Sequence, residues 1–264
     1  MARWIYRQGV RKLPGEEFSD PRVVAAFREV VADGLRDGER EFVAGLPPTA
    51  TPFLDLGAGA GREAGPIRDR GLFVVAADIS RPMLVAFAHR DIACVQCDAT
   101  RLPFRTDAFG GALLPNLVIQ YIPFRAARRR ALAEARRVLR PDAHGYIEVR
   151  HWGVLPLLHA ALPYALARWI RWSLLPAGWA GRWLGRRARR YDGDGPEPGD
   201  LQGILATRTP FHEYRRDELK ADLRAAGFRN PVVEFRPVLR GPAWLQRFRQ
   251  EVNPWVARVE VRGG

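Results

Sequence analysis

Three observations predict an α/β fold built on a mostly parallel sheet. Short apolar, strand-like runs alternate with helical or turn-rich stretches, which is the pattern of βαβ units. The first of these runs, Phe53-Leu54-Asp55-Leu56, passes straight into a glycine-rich loop. The second, Phe73 to Ala77, is followed at once by an acid, Asp78.

The elements follow in chain order. Ser19-Asp20-Pro21 supplies a helix cap and a first-turn proline, ahead of Val23, Val24, Phe27, Val30, Val31 and Leu35 at helical spacing. Leu46-Pro47-Pro48-Thr49 ends that helical segment. Three more strand-like runs follow the first two: Ala93 to Cys97, Gly111 to Pro115 and Gly145 to Val149. Ala126 to Leu139 reads as an amphipathic helix with a basic outer face, closed by the turn Arg140-Pro141-Asp142. Asp217 to Ala226 is a further helix, stopped by Gly227. Pro231 to Phe235 and Val256 to Val261 are strand-like, with a short helix around Trp244 to Gln250 between them. Asp192 to Gly199 is a turn-rich linker.

A chain of 264 residues is long for a minimal domain and short for two, so one α/β domain with an insertion is expected. The expected organisation is an N-terminal helix with the cofactor-binding half (1–150), a helical lid or insertion (151–207), and the C-terminal part of the same domain (208–264). The apolar fraction of 47% and charged fraction of 27% are globular values and exclude a disordered or multi-span chain. Met1 to Pro14 carries arginines without an apolar segment behind them and does not read as a signal peptide. Two cysteines cannot make a disulfide framework, and a cytoplasmic location is the expectation. The net charge of +13 is almost all arginine, since lysine occurs only at Lys12 and Lys220. Such a charge suits nucleic acid or an anionic membrane, and equally a GC-rich genome, so its position matters more than its sum.

The loop Asp55-Leu56-Gly57-Ala58-Gly59-Ala60-Gly61 lets the backbone turn tightly and turns free amides toward a ligand. Asp78, about twenty residues on, is positioned to accept both hydrogens of a ribose diol. The bland alternative is a packing loop and a surface aspartate.

With these residues in place, the chain resembles the class I S-adenosylmethionine-dependent methyltransferases. Phe53 to Gly61 is similar to their motif I, and Val74 to Ser80 to their second strand. Cys97-Asp98-Ala99-Thr100-Arg101-Leu102-Pro103-Phe104 resembles the "D-A-x-x-L-P-F" segment. Leu114 to Tyr121 and Arg137 to Pro141 resemble later motifs of the methyltransferase-11 type, near the quinone methyltransferases, and Phe211 to Phe228 the C-terminal "H-x-Y-x-x-x-E-L … A-G-F" element. The resemblance covers about residues 50 to 150 and 208 to 264. It implies a Rossmann-like, seven-stranded, mostly parallel sheet with an antiparallel last strand, helices on both faces and a helical insertion after the fifth strand. It also implies S-adenosyl-L-methionine as cofactor. Gly57, Gly59 and Gly61 would contact its methionine end, Asp55 would lie near its amino group, and Asp78 would hold the ribose hydroxyls. Asp98 would accept from the adenine amine, and Ala99 would offer its backbone amide. Two places depart from the family pattern. Gly110-Gly111 stands where many relatives carry an aspartate, with Pro115 at the end of that strand, and Pro141 to Gly145 replaces a proline-glycine-glycine turn.

Methyl transfer from a sulfonium disperses positive charge, so the protein mainly supplies alignment and a dry site. A base is needed only for an acceptor whose proton is held tightly. Candidates are His151, His212, Glu148 and Tyr121, each with the alternative of a hydrogen-bonded structural role. His151 is preferred because it follows the C-terminal end of a strand, where such folds bind ligands. Cys94-Val95-Gln96-Cys97 cannot form a tetrahedral zinc site alone, no metal site is expected, and the pair reads as two buried core cysteines.

Residues 151–191 hold five of the eight tryptophans and seven arginines, with no acid. Three readings compete: a lid over an apolar acceptor, an in-plane membrane helix, and a nucleic-acid platform. The lid is preferred, peripheral membrane contact is compatible with it, and nucleic acid is disfavoured because the aromatics sit with Leu, Ala and Pro. The expected activity is O- or C-methylation of an apolar small molecule. The alternatives are a nicotinamide-dependent dehydrogenase, which Asp98-Ala99 and Ala225 to Phe228 disfavour, and a non-catalytic cofactor-binding or membrane-docking protein.

Overall fold

A computed structural model describes residues 16, 18–115, 118–149, 212, 214, 216–229, 231–234 and 256–260. Five strands pair in parallel: β1 (Phe53–Leu56), β2 (Val74–Asp78), β3 (Ala93–Gln96), β4 (Phe109–Leu114) and β5 (Leu139–Glu148). With β6 (Val232–Glu234) and β7 (Val256–Glu260) the sheet order is β3-β2-β1-β4-β5-β7-β6. β7 runs antiparallel to both β5 and β6. The chain winds outward from β1 through β2 to β3, then returns to β4 on the other side. That reversal opens a crevice at the carboxyl ends of β1 and β4, where open α/β sheets bind ligands.

Alternation along β1 divides the core between the two faces of the sheet. Leu54 and Leu56 join Ala131, Leu132 and Val138 of α6 (Arg125–Val138) and Leu219 and Leu223 of α7 (Arg216–Ala225). Phe53 joins Phe42 and Val43 of α2 (Asp37–Ala44), and Ala64 and Ile67 of α3 (Ala64–Arg68), on the opposite face. α7 ends as its glycine predicts. Gly227 takes φ +92°, and Phe228 N–H returns to Leu223 O at 3.0 Å.

Four readings need correction. The first helical segment is two helices, α1 (Pro21–Glu29) and α2, joined by a 3-10 turn and by Gly34 at φ +60°. Asp20 does cap α1, accepting from Arg22 N–H at 3.0 Å. Second, Arg140-Pro141-Asp142 is not a terminating turn but part of β5. Two steps along β4 (Phe109 to Gly111) answer five along β5 (Leu139 to His144), so the extra residues bulge within the ladder. Third, Cys94 is exposed and Cys97 only half-buried. β3 is an edge strand, paired on one side only, and most of its residues are exposed. Fourth, the basic face of α6 is outward as expected but not merely solvated: Arg125 and Arg129 pair with α7, and Arg137 reaches the loop after β3, as described below.

Gly110 and Gly111 have a spatial reason. A β-carbon on Gly110 would stand 2.0 Å from an Arg140 nitrogen and 2.4 Å from Thr49 O, and one on Gly111 would stand 2.7 Å from the Phe53 ring. The expected insertion 151–207 and the short helix near Trp244 lie outside the described residues.

Candidate functional site

The carboxyl edge of β1, β2 and β3 is tied together by backbone and carboxylate. Gly57, Gly59 and Gly61 hold φ of +82°, +52° and +95°, which L side chains rarely adopt, so glycine lets the loop take this course without strain. Gly57 and Ala58 N–H both donate to Ala77 O, at 2.7 and 3.1 Å, which folds the loop over the end of β2. Gly59 N–H then donates to Asp78 Oδ2 at 2.9 Å, while Asp78 Oδ1 accepts Ser80 N–H at 2.8 Å. Ser80 Oγ in turn caps α4 (Arg81–Val85), accepting Met83 N–H. Asp78 is a fastener of the loop as well as an acid at its rim. Burial raises its carboxyl above the usual range, opposed by the amides of Ser80 and Gly59.

Cys97 N–H donates to Asp78 O at 2.9 Å, so the end of β3 lies directly beside the end of β2. Asp98 is exposed there and accepts Thr100 N–H through Oδ1 at 2.8 Å. It borders a groove of about 570 Å³, also lined by Gln96, Thr100, Arg101 and Arg130. Ala99 packs against the adjoining core.

Beneath the loop, Asp55 sits in a buried charge cluster whose other members, Glu39, Arg62 and Glu63, the sequence does not single out. Asp55 is fully buried, and neither of its carboxylate oxygens has a hydrogen-bond partner. Arg62 engages Glu39 through two bonds, at 2.8 and 2.7 Å, and also reaches Glu63. Arg36 meets Glu148 at 3.2 Å at the rim. Burial pushes the Asp55 carboxyl up to about 8, against the pull of Arg62. Burial also holds Glu63 well above the carboxylate range. Charged residues beside a glycine loop were the available signal, but pairing across 23 positions, as in Glu39–Arg62, has no local signature.

The candidate bases fall into three places. His151 lies outside the described residues. His212 is buried, its Nε2 2.8 Å from Glu218 Oε1 and its N–H donating to Gln120 O at 2.8 Å. Gln120 Nε2 donates back to His212 O, which ties this segment to α5 (Val118–Tyr121). Val118 on α5 leans on the loop, since a β-carbon on Gly57 would meet its Cγ2 at 2.2 Å. Glu148 is held by Arg36, and Tyr121 stacks edge-on with Phe18 at 5.1 Å. Cys97 is pushed up to about 11 by burial, which leaves its thiol protonated.

Comparison with known proteins agrees with the fold. Residues 54–147 match the family model of a methyltransferase domain, the methyltransferase-11 type. A demethylmenaquinone methyltransferase of Corynebacterium urealyticum is 35% identical over 88 residues, covering 33% of this chain and 36% of its own. A tRNA (carboxymethyluridine(34)-5-O)-methyltransferase of Arabidopsis thaliana is 26% identical over 138 residues, covering 52% of this chain and 31% of its own. The chain therefore spans about a third of the length of these curated relatives. An S-adenosylmethionine-dependent methyltransferase of Mesorhizobium loti shares the fold, with a TM-score of 0.55, 17% identity, and coverage of 84% and 94% of the two chains. Over residues 54–147 the chain is thus similar to the methyltransferase-11 type of methyltransferase domain, and it shares the fold of S-adenosylmethionine-dependent methyltransferases.

Proposed function

We propose that this protein transfers a methyl group from S-adenosylmethionine to an apolar small-molecule acceptor, at oxygen or carbon. One observation carries the cofactor half of this reading: Asp55, fully buried with both oxygens unpartnered, stands below a glycine loop whose rim bears Asp78 and Asp98. The donor set fits the cofactor chemically. Asp55 suits an ammonium, Asp78 a ribose diol and Asp98 an adenine amine, with the glycine loop against the methionine end and Ala99 N–H toward the ring. When bound, the cofactor supplies an electrophilic methyl on a positively charged sulfur. The residues of this chain hold it, orient it and exclude water.

The acceptor half rests on the composition of residues 151–191 and on the similarity to a quinone methyltransferase. A lid or insertion over 151–207, following the carboxyl end of β5, would cover that side of the crevice, with peripheral membrane contact through the same residues. Among the described residues no helix is long and apolar enough to cross a membrane. His151, three positions beyond the end of β5, is the proposed base where the acceptor needs one. His212 is proposed to act by position, holding α7 against α5 through Glu218 and Gln120. An RNA acceptor is disfavoured because the arginines of α6 are mostly engaged within the fold.

The test is incubation with methyl-labelled cofactor and, separately, a bacterial lipid extract and total RNA. Label should enter the organic phase. Label in RNA alone would reverse the acceptor assignment, and no label in either would remove the activity.

A further inference from the structure

Four acids are buried around the end of β1: Glu39, Asp55, Glu63 and Asp78, at 0%, 0%, 1% and 9% exposure. Among the described residues one buried guanidinium, Arg62, faces the first three. It is engaged with Glu39 and Glu63, and Asp78 has the amides of Gly59 and Ser80. Asp55 has no such partner. A cluster with three carboxylates around one guanidinium cannot hold all its charges out of water, so it binds a proton or a cation.

Building on the cofactor reading above, we propose that the ligand-free protein keeps a displaceable proton on the Asp55–Glu63 pair, which the ammonium of the incoming cofactor replaces. The proton leaves the carboxyl for solvent, the carboxylate gains the ammonium, and the net charge of the pocket is unchanged. Recognition is thereby specific for a nucleoside that carries an amino-acid end. One without an ammonium cannot discharge the proton and gains nothing from Asp55.

The surroundings support this exchange from every side. Glu39 and Asp78 add to the rise that burial imposes on Asp55, and Arg62 alone opposes it. Asp55 is in turn a leading cause of the rise at Glu63. On β5, burial holds the Tyr146 phenol protonated, and Glu148 is matched by Arg36. On β3, Cys94 is pushed up by burial and by Asp55, and stays neutral.

The experiment is calorimetric titration of the full chain with S-adenosylhomocysteine in buffers of different ionisation enthalpy. A pH of about 6.5 is suitable, because α-amino groups stay protonated below about 7.7. The expected result is release of about one proton per ligand bound, and affinity rising with pH toward neutrality. 5′-Methylthioadenosine, which lacks the amino-acid end, should bind roughly tenfold or more weakly with no release. Asp55→Asn should abolish the release. Glu63→Gln, which keeps the Asp55 carboxyl, should reduce it to under half and serves if the first variant fails to fold. A binding enthalpy independent of buffer, or equal release with both ligands, overturns the inference while leaving the cofactor assignment standing. No binding of S-adenosylhomocysteine at all overturns both.

Discussion

Asp78 divides its two oxygens between Gly59 N–H and Ser80 N–H, and so joins loop to strand before any ligand arrives. Asp78→Ala removes both fasteners and the proposed diol acceptor. Each charge-assisted bond contributes about 1.5–3 kcal/mol, so cofactor affinity should fall roughly tenfold or more. Calorimetry showing parent-like binding by that variant would remove Asp78 from the site. Asp55 makes a separate prediction about stability. Its carboxyl is raised to about 8 in the folded chain, against about 3.9 in an unfolded one. The folded state therefore holds a proton that the unfolded state has lost across that window, and stability declines as pH rises from about 4 to about 8. Asp55→Asn cannot lose that proton, so its melting temperature should decline less steeply between pH 5 and 9. Parallel curves for the two proteins would contradict the buried carboxyl. At this scale the sequence is readable where the chemistry is consecutive, as in Asp55 to Gly61, Asp78 and Asp98-Ala99. Glu39, Arg62 and Gln120 are not readable, because burial and long-range pairing give them their roles.

α6 shows how an element's surface can mislead. Its arginines suggest a solvated basic face, yet Arg125 and Arg129 both bind Asp222 of α7, at 3.1 and 2.7 Å. Arg137 binds Glu134 and the carbonyls of Leu102 and Phe104, and Arg128 lies over the Tyr214 ring. Asp222 is fully buried while its partners are part-exposed. Asp222→Ala should cost roughly 1–3 kcal/mol once the arginines regain water. Urea denaturation checks this, and an unchanged midpoint would mean that the α6–α7 pairing contributes nothing. The length of β5 was hidden for a similar reason. Pro141-Asp142 has turn chemistry, and only the neighbouring β4 draws those residues into the ladder as a bulge. The break at Gly34 has no signature in the sequence, because apolar spacing continues on both sides of it.

For the whole molecule, the parallel core was legible because each strand is short, apolar and followed by turn residues. The charge of +13 was not interpretable by sum, since many arginines of the described fold are paired with its own acids. The arginines of 151–191 have no acid in their own segment, and they give the proposed membrane contact its test. The full chain should co-sediment with anionic vesicles and less with neutral ones, and high salt should release it, as expected at about 1 kcal/mol per arginine. Replacing Arg186, Arg187, Arg189 and Arg190 by Gln should weaken sedimentation and leave cofactor affinity intact. Equal sedimentation of the variant would place the contact elsewhere. The central claim is that S-adenosylmethionine binds the carboxyl edge of β1, β2 and β3. Hydrogen exchange with and without saturating S-adenosylmethionine tests this most directly. The account predicts new protection in residues 56–63, 79–81 and 97–101, and none at the opposite edge around 49–52 and 71–73. Protection at that opposite edge, or unchanged exchange at the glycine loop with ligand bound, would contradict it.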